Sequence, residues 1–486
     1  MRPARREGLG LIGRDLAGDA LAHRPTRRRR PARGRLTGTG RVVALLLVVL
    51  GLALGWGARS WVRGLAPADA DGLPAVAAAA AARPVVDLAR LISDPPLSRE
   101  RFEMARVESA TVDPAAPPRL VEQRAAGTLR VEYSLDVRLT EAVFEILRHG
   151  RVQHGQAIVI DQTTSRRVDH AVVDPETLPA DRAYPAASIV KVITAAALLE
   201  QTPAALARPC IYEGNKYRVT RRRLEAPRRG NEASLEDALA SSNNQCFSRW
   251  AVHALGAERL VETIERFGWV AAPAPGFAAG RLDPIEDDLD LGRLGSGLDG
   301  LRVTPMHVAQ LAGVLAHGRL VEPWWVDRVV DEVGRSIELP RRMPDRPVIE
   351  PRLAARLRDL MVSTTTRGTA RRAFRTRRGQ RLLGDLEVAG KTGNLSGRDP
   401  SGRYEWFLGV APADAPRVGV VVLQLQGSLW WAHSSELAAR ILREVFCDRT
   451  GCRAELASRY TGELDALAAI APISGLEQRR GGDASE

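Results

Sequence analysis

The run Ser188-Ile-Val-Lys-Val-Ile-Thr-Ala-Ala-Ala-Leu-Leu199 is apolar nearly all round a helical wheel, yet it carries a lysine. A helix that is hydrophobic on every side has to be buried, so other elements must wrap this stretch and Lys191 must enter the core with it. Pro185 stands where a helix can begin. Ser188 and Lys191 are three apart and share one face. A hydroxyl at the positive end of a helix, with an amine one turn along, makes a nucleophile provided that the amine can be neutral.

Composition sharpens this. Lys and Arg together number 70, but only Lys191, Lys216 and Lys391 are lysine. Arginine fills the ordinary cationic positions and cannot deprotonate in a protein, so a retained lysine points to work that a guanidinium cannot do. A free lysine of pKa ~10.4 is neutral in roughly one molecule in 2,500 at pH 7, and burial beside a second cation lowers that pKa by ~3 units. A base at Lys191 therefore calls for a desolvated site and another positive charge. Lys216 lies among arginines and reads as a surface charge.

The net charge of +12 is concentrated in residues 1–41, where twelve Arg face only Glu7, Asp15 and Asp19. This basic tail is expected to be cytoplasmic and to set orientation, with no nucleic acid as partner. Val42 to Ala58 carries no charge and is long enough for a short membrane span, extended to Trp61 by a snorkelling Arg59. One single-pass anchor at 42–61 is expected in the inner (cytoplasmic) membrane, with the rest of the chain on the periplasmic or extracellular side. Residues 62–127, rich in Ala and Pro, read as a stalk with some local structure. The four cysteines, at 210, 246, 447 and 452, all follow the span and allow two disulfides in three pairings. Cys447 and Cys452 enclose a turn and are expected to pair, leaving Cys210 with Cys246. No Cys/His spacing suggests a metal, and no cofactor is expected.

Alternation marks strands at 129–135, 155–161, 404–411 and 418–425, and Leu386 to Asn394 reads as a strand with a polar tip. Helices are expected over 140–147, from Ser188, after a Ser234-Leu-Glu-Asp237 cap, from Pro305 to Ala316 with a stop near Gly318, from Pro351 to about Met361, and over 434–446. Trp324 and Trp325 read as core or interface aromatics.

Three motifs now stand in order: Ser188-x-x-Lys191, Ser242-x-Asn244 and Lys391-Thr392-Gly393. This is the ordered set of penicillin-recognising serine enzymes, and over 128–446 the chain resembles the transpeptidase domain of penicillin-binding proteins, leaving 447–486 as a C-terminal tail. The likeness extends to Ala238-Leu-Ala, Val303-Thr-Pro305, Thr366-Arg-Gly-Thr369 and Trp406-Phe-Leu-Gly. It implies an α/β (α+β) fold with an antiparallel five-stranded sheet flanked by helices, and a serine D,D-transpeptidase that acts on peptidoglycan stem peptides and is acylated by β-lactams. Ser188 would be nucleophile, Lys191 base, Ser242 a proton relay and Lys391 the second positive charge. Asn244, Thr392, Gly393 and Asn394 would bind substrate, with the backbone N–H groups of Ser188 and Asn394 as oxyanion hole. Cell-wall synthesis machinery would be its surroundings. Where the family has a hydroxyl after Lys-Thr-Gly this chain has Asn394, which implies altered affinity more than lost activity. The same residues also suit a D,D-carboxypeptidase or a β-lactamase, and a non-catalytic cell-wall scaffold or β-lactam sensor is the reading from another class.

Overall fold

The computed structural model describes residues 97–109, 119–124, 129–427 and 431–461. The expected basic tail and membrane anchor lie outside these residues, as does most of the stretch read as stalk. Among the described residues no helix is long and apolar enough to cross a membrane.

The chain runs α1 (Arg99–Ser109), β1 (Arg119–Arg124), β2 (Leu129–Asp136), α2 (Val137–His149), β3 (His154–Asp161) and β4 (Arg167–Val173). A helical section follows: α3 (Val190–Gln201), α4 (Leu235–Ala240), α5 (Asn244–Arg249), α6 (Gly256–Arg266), α7 (Asp288–Ser296), α8 (Pro305–His317), β5 (Val326–Asp331) and α9 (Pro351–Thr366). It closes with β6 (Ala389–Arg398), β7 (Ser401–Ala411), β8 (Val418–Gln426) and α10 (Ser434–Phe446).

The expected five-stranded sheet is present, in the order β6-β7-β8-β3-β4 and antiparallel throughout. Every residue of β8 is buried, so both faces of the sheet are covered at this strand; α8, α10 and α2 pack against the sheet. Burying each Val or Leu of this strand is worth about 1.5–3 kcal/mol. A smaller sheet, β1-β2-β5, lies beside it. Thus α1 and β1 form regular structure within the stretch read as stalk, and β1 pairs with β2 from Arg119 to Arg124. Beyond α10 the chain makes a short hairpin, Cys447–Asp448 against Gly451–Cys452, and helical turns up to Thr461.

Several elements form where local chemistry dictates. Ser234 caps α4 with a reciprocal Asp237 bond, Thr304 caps α8 with Pro305 in its first turn, and Gly318 ends α8 in a left-handed conformation. Three expectations are corrected. The helix from Ser188 does not begin at Pro185: Tyr184–Pro185 is a short strand, Ala187–Ile189 a 3-10 turn, and the α-helix starts at Val190. Pairing with Leu301–Val303 holds Tyr184–Pro185 extended. Helix α9 runs on to Thr366, because its last turn, Ser363 to Thr365, is buried. The third-motif strand starts at Ala389 and extends to Arg398, placing Lys391-Thr-Gly inside it and not at its tip. Trp324 and Trp325 are buried, at 6% and 1% exposure.

Candidate active site

Edge strand β6 and the turn carrying Ser188 face one another across a cleft of about 810 Å³, lined on its inner side by Ser188, Ser242, Asn244, Thr392, Gly393 and Asn394. Two glycines set how close these elements come. A Cβ on Gly393 would stand 3.2 Å from Ile189 and 3.3 Å from Ala187, closer than ordinary contact, so a side chain there would press on the Ser188 turn. Gly297, at φ +71°, ends α7, and a Cβ there would fall 2.0 Å from the Ala187 carbonyl oxygen. That approach brings the last carbonyl of α7, on Ser296, to Lys191.

Lys191 is fully buried. Its Nζ lies 2.7 Å from Ser188 Oγ, 2.7 Å from Asn244 Oδ1 and 2.5 Å from the Ser296 carbonyl oxygen. The last two can only accept. Asn244 is held in that sense because its Nδ2 donates to the Tyr217 carbonyl at 2.9 Å. A neutral amine has two N–H donors and one lone pair; with both donors taken by carbonyls, the lone pair is left for the Ser188 hydroxyl proton. An ammonium would instead donate to all three oxygens; if the amine is neutral, the Ser188 O–H donates to its lone pair.

Electrostatics favour that form. Burial pushes Lys191 well below the ordinary lysine range, and the neighbouring Lys391 pushes it the same way. Lys391 is itself fully buried and lowered to about 7 by desolvation; its Nζ donates to Ser242 Oγ at 3.1 Å and to the Thr392 carbonyl at 2.8 Å. Among the described residues no carboxylate is hydrogen-bonded to either amine. Ser242, which accepts from Lys391, sits at φ +54° in the loop joining α4 to α5, a conformation that costs a non-glycine residue about 1–3 kcal/mol and recurs at functional sites.

All eight residues singled out from the motifs therefore meet: Lys191 and Lys391 beneath the cleft, the other six on its wall. Sequence reasoning passed over others. Thr369 Oγ1 lies 2.6 Å from Thr392 Oγ1, and Arg403 Nε donates to Asn394 Oδ1. Farther out Glu405 holds His433 at 2.6 Å, both on the cleft wall with Arg372, and that contact raises the His433 pKa. Thr369 belongs to the Thr366-Arg-Gly-Thr segment already noted; the rest carry no spacing signal.

Tyr217, about half exposed, lines the cleft from a loop fastened to α5. Gln245 Nε2 donates to the carbonyls of Glu213 and Asn215 at 2.8 and 2.9 Å, and Gln245 N to that of Lys216 at 3.1 Å. A Cys210–Cys246 disulfide joins the same two segments, and Cys447–Cys452 closes the C-terminal hairpin, the pairing expected from sequence. The wall bearing Tyr217 and the helix bearing Asn244 are in effect one piece.

A family model described as the penicillin binding protein transpeptidase domain matches residues 152–446. The chain is 29% identical over 276 residues to the peptidoglycan D,D-transpeptidase PbpA of Mycobacterium tuberculosis, covering 54% of each. It is 28% identical over 273 residues to stage V sporulation protein D of Bacillus subtilis, covering 52% of this chain and 41% of that one. The chain thus spans about half the length, or less, of these relatives. In fold it is similar to penicillin-binding protein A from M. tuberculosis, solved as an imipenem acyl-enzyme complex, with a TM-score of 0.51 and 20% identity over 71% of this chain and 86% of that one.

Two outcomes are expected. Gly297→Ala should cost about 2 kcal/mol or more in denaturant unfolding, from the left-handed φ and the overlap with the Ala187 carbonyl together. Removing Cys210–Cys246, which closes a separation of 36 residues, by double Ser substitution should cost about 4 kcal/mol in the chain-entropy limit, against about 2 kcal/mol for Cys447–Cys452 with a separation of 5. Equal losses for the two pairs would contradict the tethering role given to the first.

Proposed function

This chain belongs to the penicillin binding protein transpeptidase domain family, and on that premise we propose that it is a serine D,D-transpeptidase that cross-links peptidoglycan stem peptides through an acyl-enzyme on Ser188. The observation that carries the reading is the set of partners around Lys191, two carbonyls and one hydroxyl. Ser188 Oγ attacks the penultimate D-Ala carbonyl of a donor stem peptide while Lys191 Nζ takes its proton. The oxyanion that develops is held by the backbone N–H groups of Ser188 and Asn394. Ser242, hydrogen-bonded to Lys391, relays the proton taken up by Lys191 to the leaving D-Ala nitrogen, the C–N bond breaks, Lys191 is neutral again, and the ester on Ser188 remains. Thr392, with Thr369 beside it, and Lys391 hold the terminal carboxylate; Asn244 binds the donor amide, and Gly393 lets the donor lie close to β6. An acceptor amine then attacks the ester, Lys191 takes the amine's proton and returns it to Ser188 Oγ as the C–O bond breaks, and Ser188 is regenerated. A β-lactam enters by the first step and stays as the ester.

On this reading the chemistry takes place outside the cytoplasmic membrane, behind an anchor at 42–61 and among cell-wall synthesis proteins. The basic residues before the uncharged run support the orientation, and two disulfides suit an oxidising face.

Fluorescent penicillin should label the wild type and not Ser188→Ala, and a stem peptide incubated with an amine acceptor should give, by mass, the product of D-Ala loss joined to the acceptor. Equal labelling of both proteins refutes the nucleophile; hydrolysis alone, with acceptor present, turns the reading to a D,D-carboxypeptidase. The acylation rate should fall with acid as Lys191 takes up a proton, and because Lys391 helps keep Lys191 neutral, Lys391→Gln should move that limb to higher pH. A limb that stays in place contradicts the coupling.

A further inference from the structure

Residues 207–233 and 366–381 hold fifteen Arg and Lys against only Glu213, Glu225 and Glu232, a net +12, while residues 42–486 as a whole carry +3. The rest of that span is therefore net negative, and the positive charge is gathered in these two segments. Both flank the cleft: Tyr217 lines it from the first and Arg372 from the second. Arg367 ties the second segment to the start of α4, directly after the first, at 2.5 Å from Asp237 and 2.8 Å from Glu236. Away from the cleft, Arg228, Arg229, Arg377 and Arg378 are exposed, and none of the four has an ion pair among the described residues. Each pair stands on a fixed turn. Arg377 and Arg378 sit at the tip of one in which Thr376 N donates to the Gln380 carbonyl at 2.9 Å and Arg375 Nη1 to the Gly379 carbonyl at 2.7 Å; its base is held by buried Phe374, 5.7 Å from the Phe407 ring. Arg228 and Arg229 lead into the strand Asn231–Ala233, which pairs with Cys210–Tyr212 and so with the disulfide to Cys246.

We propose that these two basic segments form a docking surface for a peptidoglycan strand that bears many uncross-linked stem peptides, and that they hold it by charge outside the cleft; the proposal rests on the transpeptidase reading above. Every uncross-linked stem ending in D-Ala-D-Ala carries a terminal carboxylate, so a strand of them is a polyanion, whereas one stem is a small anion. With one stem in the cleft, the strand that bears it has to pass over the rim that Tyr217 and Arg372 begin, and the neighbouring stems fall against exposed guanidiniums. Unpaired surface charge of one sign raises the local concentration of a polyanion and speeds its association, and a second point of attachment makes later encounters with the cleft intramolecular. The surface thus selects polymer over single peptide and leaves the reacting groups alone. Because the charges are solvated, the selection weakens as salt shortens the Debye length from about 10 Å at 0.1 M to about 3 Å at 1 M.

The test uses the full chain and compares D-Ala release, as kcat/KM per stem, from uncross-linked strands and from a single synthetic stem peptide, each with an amine acceptor. Wild type should favour the strand by roughly tenfold or more at about 0.1 M salt, and by about twofold or less at about 1 M. Changing Arg228, Arg229, Arg377 and Arg378 together to Gln should abolish the advantage, while the single peptide and benzylpenicillin react within about twofold of wild type. Changing the same four to Lys should keep it, since a polyanion is drawn by charge and not by the guanidinium fork. No strand advantage in the wild type, an advantage indifferent to salt, one that survives the Gln changes or one lost with Lys each overturns the surface. Loss of benzylpenicillin acylation in the Gln variant also overturns it, because the arginines would then be holding the cleft. Sedimentation of the wild type with phosphatidylglycerol vesicles, without a strand advantage, assigns the charge to the membrane instead. A wild type that reacts with penicillin and single peptide but not preferentially with strands sinks the surface alone; one that reacts with neither penicillin nor peptide sinks the transpeptidase reading with it.

Discussion

Two lysine amines are buried side by side, neither hydrogen-bonded to a carboxylate among the described residues, and the site depends on that omission. A buried ammonium normally acquires a carboxylate, because burial of a bare charge is costly and pairing offsets it. Here the partners of Lys191 are two carbonyl oxygens and a hydroxyl. The fold thereby prevents one stable outcome, an ion pair, and leaves deprotonation as the other. Lys391, wherever it is protonated, adds a positive neighbour in place of a negative one.

The rest of the architecture can be read as what holds these amines together. Helix α3 is apolar all round, so it sits in the core and carries Lys191 with it. Strand β6 pairs in register with β7 from Ala389 to Arg398, which fixes Lys391 opposite Leu408 on the buried side. Asn244 reaches Lys191 from α5, and the loop to which α5 is tied by Gln245 and a disulfide forms the wall with Tyr217. Three segments far apart in sequence converge, and each has an independent reason to be where it is.

What the sequence made legible follows from the same division. Elements with local signals were readable: α10 over 434–446, the Thr304–Pro305 start and Gly318 stop of α8, and the long apolar strands β3 and β8. Those signals do not by themselves give an antiparallel five-stranded sheet, which is implied by the family resemblance that the three motifs carry; its strand order is read only from the structure. Readings failed where a distant contact decides the local state. Tyr184–Pro185 is extended because Leu301–Val303 pairs with it, and the last turn of α9 persists because the interior covers it. In the site, the motifs pointed to the lysines and serines but not to the Ser296 carbonyl, since a backbone oxygen has no letter of its own. Arg403 and Glu405 reach the cleft from β7, Thr369 from the turn after α9 and His433 from the cap of α10, with no fixed spacing between the three segments.

With three lysines in the whole chain, the protonation of Lys191 can be observed directly. Protein labelled with 15N and 13C at lysine should give three side-chain signals, assigned by Lys216→Arg and Lys391→Gln, and followed from pH 5 to pH 11. The Lys191 signal should have the shift of a neutral amine at pH 8 and titrate well below the ordinary lysine value. A Lys191 signal that remains that of an ammonium up to about pH 10 would contradict a base held neutral by burial and a positive neighbour.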